Sequence, residues 1–68
     1  MSNVYKIIEL VGTSTESFSE AAKEAVERAS KTVRHAGWFE IVSQRGLIKE
    51  GKVAEFQVML KVGFKLED

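Results

Sequence analysis

The chain has 68 residues, ten basic and ten acidic side chains that cancel, one histidine, one tryptophan, and neither cysteine nor proline. A core of this size supplies only about 3 to 5 kcal/mol net on its own. With no thiol for a disulfide or a zinc site and only one imidazole, association between copies is the remaining source of stability. The charges are interspersed, which argues against neutralising nucleic-acid phosphates. No apolar run approaches the ~20 residues of a membrane span, and the start, MSNVYK, lacks the pattern of a signal peptide. These features predict one domain over residues 1–68, cytoplasmic, with no nucleic-acid or membrane partner.

Val4 to Val11 is rich in β-branched residues and reads as a first strand, stopped at Gly12 by the cluster Thr13, Ser14 and Thr15. Val4, Ile8 and Leu10 suit the core, which turns Tyr5, Ile7, Glu9 and Val11 outward. From Phe18 the apolar positions Phe18, Ala21, Ala22, Ala25, Val26, Ala29, Val33 and Ala36 follow the spacing of an amphipathic helix. Ser17 and Glu20 fit a capping box, with Ser14 an alternative start. Glu24 with Arg28 and Glu27 with Lys31 are helix-stabilising pairs, and Gly37 supplies a left-handed stop. The alanine stripe lets the helix lie close to its partner.

That partner is a sheet. Trp38 to Ile48 reads as a second strand, and Lys49 to Lys52 as a polar hairpin connection. Val53 to Leu66 alternates as a third strand, with Ala54, Phe56, Val58, Leu60, Val62, Phe64 and Leu66 on one face and Glu55, Gln57, Met59, Lys61, Gly63 and Lys65 on the other. The expected fold class is α+β: a three-stranded antiparallel sheet partly wrapped around one helix, in the order β-α-β-β. With Phe39 and Ile41 turned inward, Trp38, Glu40, Val42 and Gln44 face away from the helix. One helix covers one side of such a sheet, so Trp38, Val42, Met59, Tyr5 and Ile7 form a mixed apolar patch of the kind that marks an interaction surface. A bulge at Gly46 would reverse part of strand two, and a tryptophan at a strand start can instead lid the end of the core.

Catalytic chemistry is hard to find. His35 sits at the helix end, where a cation or hydrogen-bonding partner is the ordinary role, and no nucleophile is set beside it by a recognisable motif. A row of outward carboxylates, Glu9, Glu40 and Glu55, reads as a solvated face. Gly12 with Thr13 and Ser14 reads as a cap, without the spacing of a phosphate-binding loop. No metal-ligand set is expected. The constellation with chemical content is a planar indole with an amide: Trp38 offers a stacking surface and Gln57 both donors and an acceptor for the edge of a heteroaromatic ring. Arg45 or nearby lysines could offset a phosphate. A flavin has these features.

The segments VYKIIELVGTSTESFSEAAKEAVERA, the tryptophan after Gly37, Gln57 in FQVML and the closing VGFKL resemble the dodecins over essentially the whole chain. The resemblance implies small flavoproteins of β-α-β-β topology that assemble as hollow dodecamers of cubic symmetry. In that likeness flavins bind in pairs between subunits, with Trp38 stacking on the isoalloxazine, Gln57 bonding its pyrimidine edge, and Arg45 at a basic position associated with the FMN phosphate. Bacterial members similar to this one tend to hold FMN and archaeal ones riboflavin; FAD is a further candidate, and some relatives bind coenzyme A. The implied role is storage, buffering and photoprotection rather than turnover. Two other readings stay open: a structural or adaptor homo-oligomer whose outer sheet face binds protein, and an enzyme that uses bound flavin.

Overall fold

A stretch of Glu50 and Gly51 with positive φ, 53° and 75°, closes the long hairpin that dominates the molecule. Two consecutive left-handed residues are the requirement of the tight turn whose twist matches that of paired strands. The computed structural model describes residues 2–67. It has the order β1 (Tyr5–Ser14), α1 (Phe18–Thr32), β2 (Ala36–Lys49) and β3 (Lys52–Lys65). The sheet is antiparallel with spatial order β1-β3-β2, so β3 is the central strand. The expected fold class and element order are therefore observed.

The helix covers one face. Ala21, Ala25 and Ala29 are buried against Val58, Leu60 and Val62, with Ile8, Leu10, Phe18, Ala22 and Val26 packed around them. These are the alanine stripe of α1 and the inward set of β3, as the alternation requires. Phe18 meets Phe56 edge to face, with ring centroids 5.0 Å apart. Ser17 caps the helix: its Oγ accepts the Glu20 amide at 3.0 Å, while Ser14 Oγ accepts the amides of Glu16 and Ser17 in the preceding turn. Of the two expected side-chain pairs, Glu24 and Arg28 meet at 3.5 Å; Glu27 and Lys31 form no ion pair among the described residues.

Several local expectations are corrected. Gly12 does not end β1, which runs on to Ser14 with Gly12 opposite Val58. Gly12 is buried because the helix lies on it: a Cβ there would collide with the Ala21 carbonyl oxygen and stand 2.9 Å from Ala25 Cβ. Close approach of a second backbone, not a turn, is what this glycine serves. Gly12→Ala should therefore destabilise the fold by about 1 to 3 kcal/mol through overpacking, checked by chemical denaturation.

The helix also ends earlier than the apolar spacing suggests. Val33 is already extended, although its amide still bonds Ala29 O at 2.9 Å. His35, not Gly37, takes the left-handed conformation, with φ 63°. The sheet captures the chain here, since the Lys65 amide donates to the His35 carbonyl at 3.2 Å and Ala36 pairs with Phe64. Val33 and Ala36 thus leave the helical stripe. Val4, expected in the core, is 62% exposed at the sheet end, beyond the cover of α1.

The last correction concerns register. β2 carries irregularities at Gly37, at Val42 and opposite Ala54, and none at Gly46, which pairs normally with Phe56. Up to Ile41 the alternation holds, with Trp38 and Glu40 on the outer face and Phe39 and Ile41 on the helix face. The extra residue Val42 then inverts it. Gln44 comes opposite Val58 on the helix face, contrary to expectation, and Arg45 comes opposite Gln57 on the outer face.

Candidate functional site

Two surfaces of the sheet are left uncovered. On the helix side, α1 lies over β1 and β3 and scarcely reaches β2. Phe39 and Ile41 therefore line an open apolar groove of about 440 Å³ with Phe18, Ala22, Val26 and Gln44 rather than closing a core. Every residue of β2 is exposed in the single chain. No helix or strand among the described residues covers the far side of the sheet.

On that outer face the register sets the side chains in rows across the three strands. Tyr5 and Lys65 begin it; Ile7, Gly63 and Trp38 follow, then Glu9, Lys61 and Glu40, then Val11, Met59 and Ser43, then Thr13, Gln57 and Arg45. Apolar rows thus flank a charged one. Trp38 lies against Gly63, where even a Cβ would run into the indole, and Tyr5 stands at its side with ring centroids 6.4 Å apart and planes tilted by 48°. The indole is 42% exposed. Its place on the outer face agrees with the alternation, and it does not lid the core.

At the other end of the face, the Val42 bulge brings Arg45 beside Gln57. Arg45 Nε donates to Gln57 Oε1 at 2.6 Å, and Gln57 Nε2 donates to Glu55 Oε1 at 2.9 Å. The guanidinium fixes which way the amide points, since its oxygen must face Arg45 and its nitrogen must face Glu55. Each amide atom retains capacity for one more bond, and both Nη groups of Arg45 lie outside that contact. Alternation alone would have hidden Arg45 on the helix face. The only signal for the bulge was a run, Ile41-Val42, without a polar residue between.

The structure brings Arg45 and Gln57 together but not Trp38. Their β3 partners, Gly63 and Gln57 itself, are six positions apart, roughly 20 Å at ~3.4 Å per residue. That is farther than a three-ring heterocycle spans. One ligand could touch the indole and the amide only if they came from different copies of the chain.

His35 is remote from chemistry of this kind. Its Nε2 lies 3.7 Å from Glu67 Oε1, and Arg34 reaches the other oxygen of the same carboxylate at 3.6 Å. This exposed cluster ties the C-terminal end to the segment after the helix, a partner role of the sort expected for a histidine there. Among the described residues no group of three or more His, Asp or Glu could hold a metal ion. No helix among the described residues is long and apolar enough to cross a membrane.

Comparison with known proteins places the whole chain. The Dodecin family model matches residues 4–67. A dodecin of Thermus thermophilus is 53% identical over 68 residues, covering 100% of this chain and 99% of that protein. The chain belongs to the dodecin family. Dodecins from solved structures carry the same fold: the Streptomyces coelicolor dodecin superposes with a TM-score of 0.93 at 47% identity, covering 97% of this chain and 94% of that one. The calcium dodecin of Mycobacterium tuberculosis superposes with a TM-score of 0.83 at 35% identity, covering 94% of this chain and 91% of its own. Membership in the dodecins supports a small flavin-binding protein of the homo-oligomeric type.

Proposed function

We propose that this dodecin stores flavin in the cytoplasm, holding FMN, and less selectively riboflavin or FAD, in pairs between copies of a hollow dodecamer. Trp38 stacks on the isoalloxazine. Gln57 bonds the pyrimidine edge, and Arg45 offsets the phosphate. The observation that carries this reading is the exposed indole lying on an otherwise uncovered sheet face, which gives a flat ring one free surface to stack on. The Arg45–Gln57–Glu55 chain supports a polar edge held in one orientation. Stacking ring, amide and guanidinium are parts that bind and shield a ring system rather than transform a substrate.

The shape of the chain supports assembly. Its radius of gyration is 14.1 Å, against about 11 Å for a compact chain of this length. It exposes 5245 Å², roughly 1,000 Å² more than a monomer of its mass should. That excess is close to the ~800 Å² each partner contributes to a stable interface. The exposed β2 and the groove beside it are the natural places for a second copy. Coenzyme A is proposed as a second ligand, without assigned residues.

Trp38 at stacking distance can donate an electron transiently to the photoexcited flavin and take it back, which is the basis of photoprotection. Titrating the purified protein with FMN tests the proposal. Flavin emission should fall as the sites fill, to saturation at about one flavin per chain, because each chain contributes one indole to a paired site. Undiminished emission at saturation would count against stacking. An oligomer that ignores added flavin would favour the adaptor reading, and steady oxidation of a reduced nicotinamide would favour an enzyme.

A further inference from the structure

Gly63 stands near the C-terminal end of the central strand, at an outward position where a β-branched side chain would strengthen the sheet. It is buried, on the face that no element covers. Its φ is outside the left-handed region, so the backbone does not require glycine. What requires it is the indole. A Cβ at Gly63 would fall within the van der Waals radius of Trp38 Cε2 and Cζ2 and 2.8 Å from Cδ2, which are atoms of the fused bond and the six-membered ring. The centre of the indole therefore rests on the bare Cα of Gly63. Tyr5 closes the side: a Cβ at Gly37 would touch Tyr5 Cε2 at 3.7 Å, so the tyrosine ring lies in the corner beside Trp38.

We propose that Gly63 is the positioning residue for Trp38, a floor without a side chain that lets the indole lie flat on the sheet, with Tyr5 as the wall that limits its rotation. One indole face is then spent on the sheet, and the other is offered to a ligand at a fixed height and tilt. A stacking platform held in its bound conformation loses less rotamer freedom on binding than a free side chain. The proposal rests on the reading of Trp38 as the flavin platform, but the geometry of the indole can be measured without flavin.

The test uses the full chain and the variants Gly63→Ala, Tyr5→Leu, Trp38→Phe and Gly63→Ala with Trp38→Phe. In flavin-free protein, Gly63→Ala should weaken the near-ultraviolet circular dichroism of the tryptophan and raise its quenching by acrylamide, with oligomer size unchanged. In the FMN titration Gly63→Ala should raise Kd about tenfold when Trp38 is present and less than about twofold when it is combined with Trp38→Phe, where the indole that meets the methyl group is gone. A purely structural glycine would cost the same in both backgrounds, which would overturn the proposal. So would a Gly63→Ala protein with wild-type tryptophan spectra. If Gly63→Ala fails to fold, Tyr5→Leu decides: it adds no volume beneath the ring, and should change the spectra and raise Kd about threefold, while unchanged spectra and affinity would refute the positioning. Wild-type protein that does not bind FMN would sink the flavin reading alone, leaving the spectroscopic comparison to judge the geometry.

Discussion

Trp38→Ala should weaken FMN binding by about 10- to 100-fold in a fluorescence titration, while leaving oligomer size by gel filtration unchanged. Stacking of an aromatic side chain on a nucleobase contributes about 1 to 3 kcal/mol, and each 1.4 kcal/mol is roughly a factor of ten in Kd. Few other contacts can compensate. The charged row Glu9, Lys61 and Glu40 separates Trp38 from the next apolar row, so no second ring can take over the surface. Trp38→Phe should fall between the two, since it keeps a smaller stacking face. The indole packs on Gly63 and Tyr5 rather than in the core, so its loss leaves the helix-sheet contact untouched.

Leu60→Ala should have the largest effect on stability, about 2 to 5 kcal/mol by chemical denaturation. Leu60 is fully buried at the centre of β3, between Leu10 on one neighbour and Ile41 on the other, beneath the alanine stripe. The stripe has no larger side chain to fill the void. The loss is of the same order as the ~3 to 5 kcal/mol a core of this size supplies. The variant should thus be folded only when assembled, and its unfolding midpoint should rise with protein concentration. A loss below about 1 kcal/mol would mean that the core is not centred where the burial places it.

Most of this architecture was legible in the residues because two periodicities agree. The period-two run of β3 and the helical spacing from Phe18 to Ala29 pick out the same contact, Val58, Leu60 and Val62 under Ala21, Ala25 and Ala29. Trp38 could be assigned its face because Phe39 and Ile41 follow it without interruption. What was not legible came from events that leave alternation unmarked. The Val42 bulge reverses every later residue up to the next irregularity in β2, so Gln44 and Arg45 exchange faces. Gly12 carries the signs of a turn yet serves the approach of α1, a tertiary demand that local chemistry does not reveal. The helix stop passed from Gly37 to His35 because pairing of Ala36 with Phe64 outweighs the preference for glycine at positive φ. The distance between Trp38 and Gln57 needed the register, since both belong to the same face and only their rows tell them apart.

The most direct measurement is sedimentation velocity of the chain with FMN, followed at once by protein and visible flavin absorbance. The account predicts one boundary, far larger than a single 7.6 kDa chain, carrying the flavin with it at about one per chain, because every copy supplies one indole to a shared site. A slow boundary of single chains, or flavin left behind by a sedimenting oligomer, would contradict it.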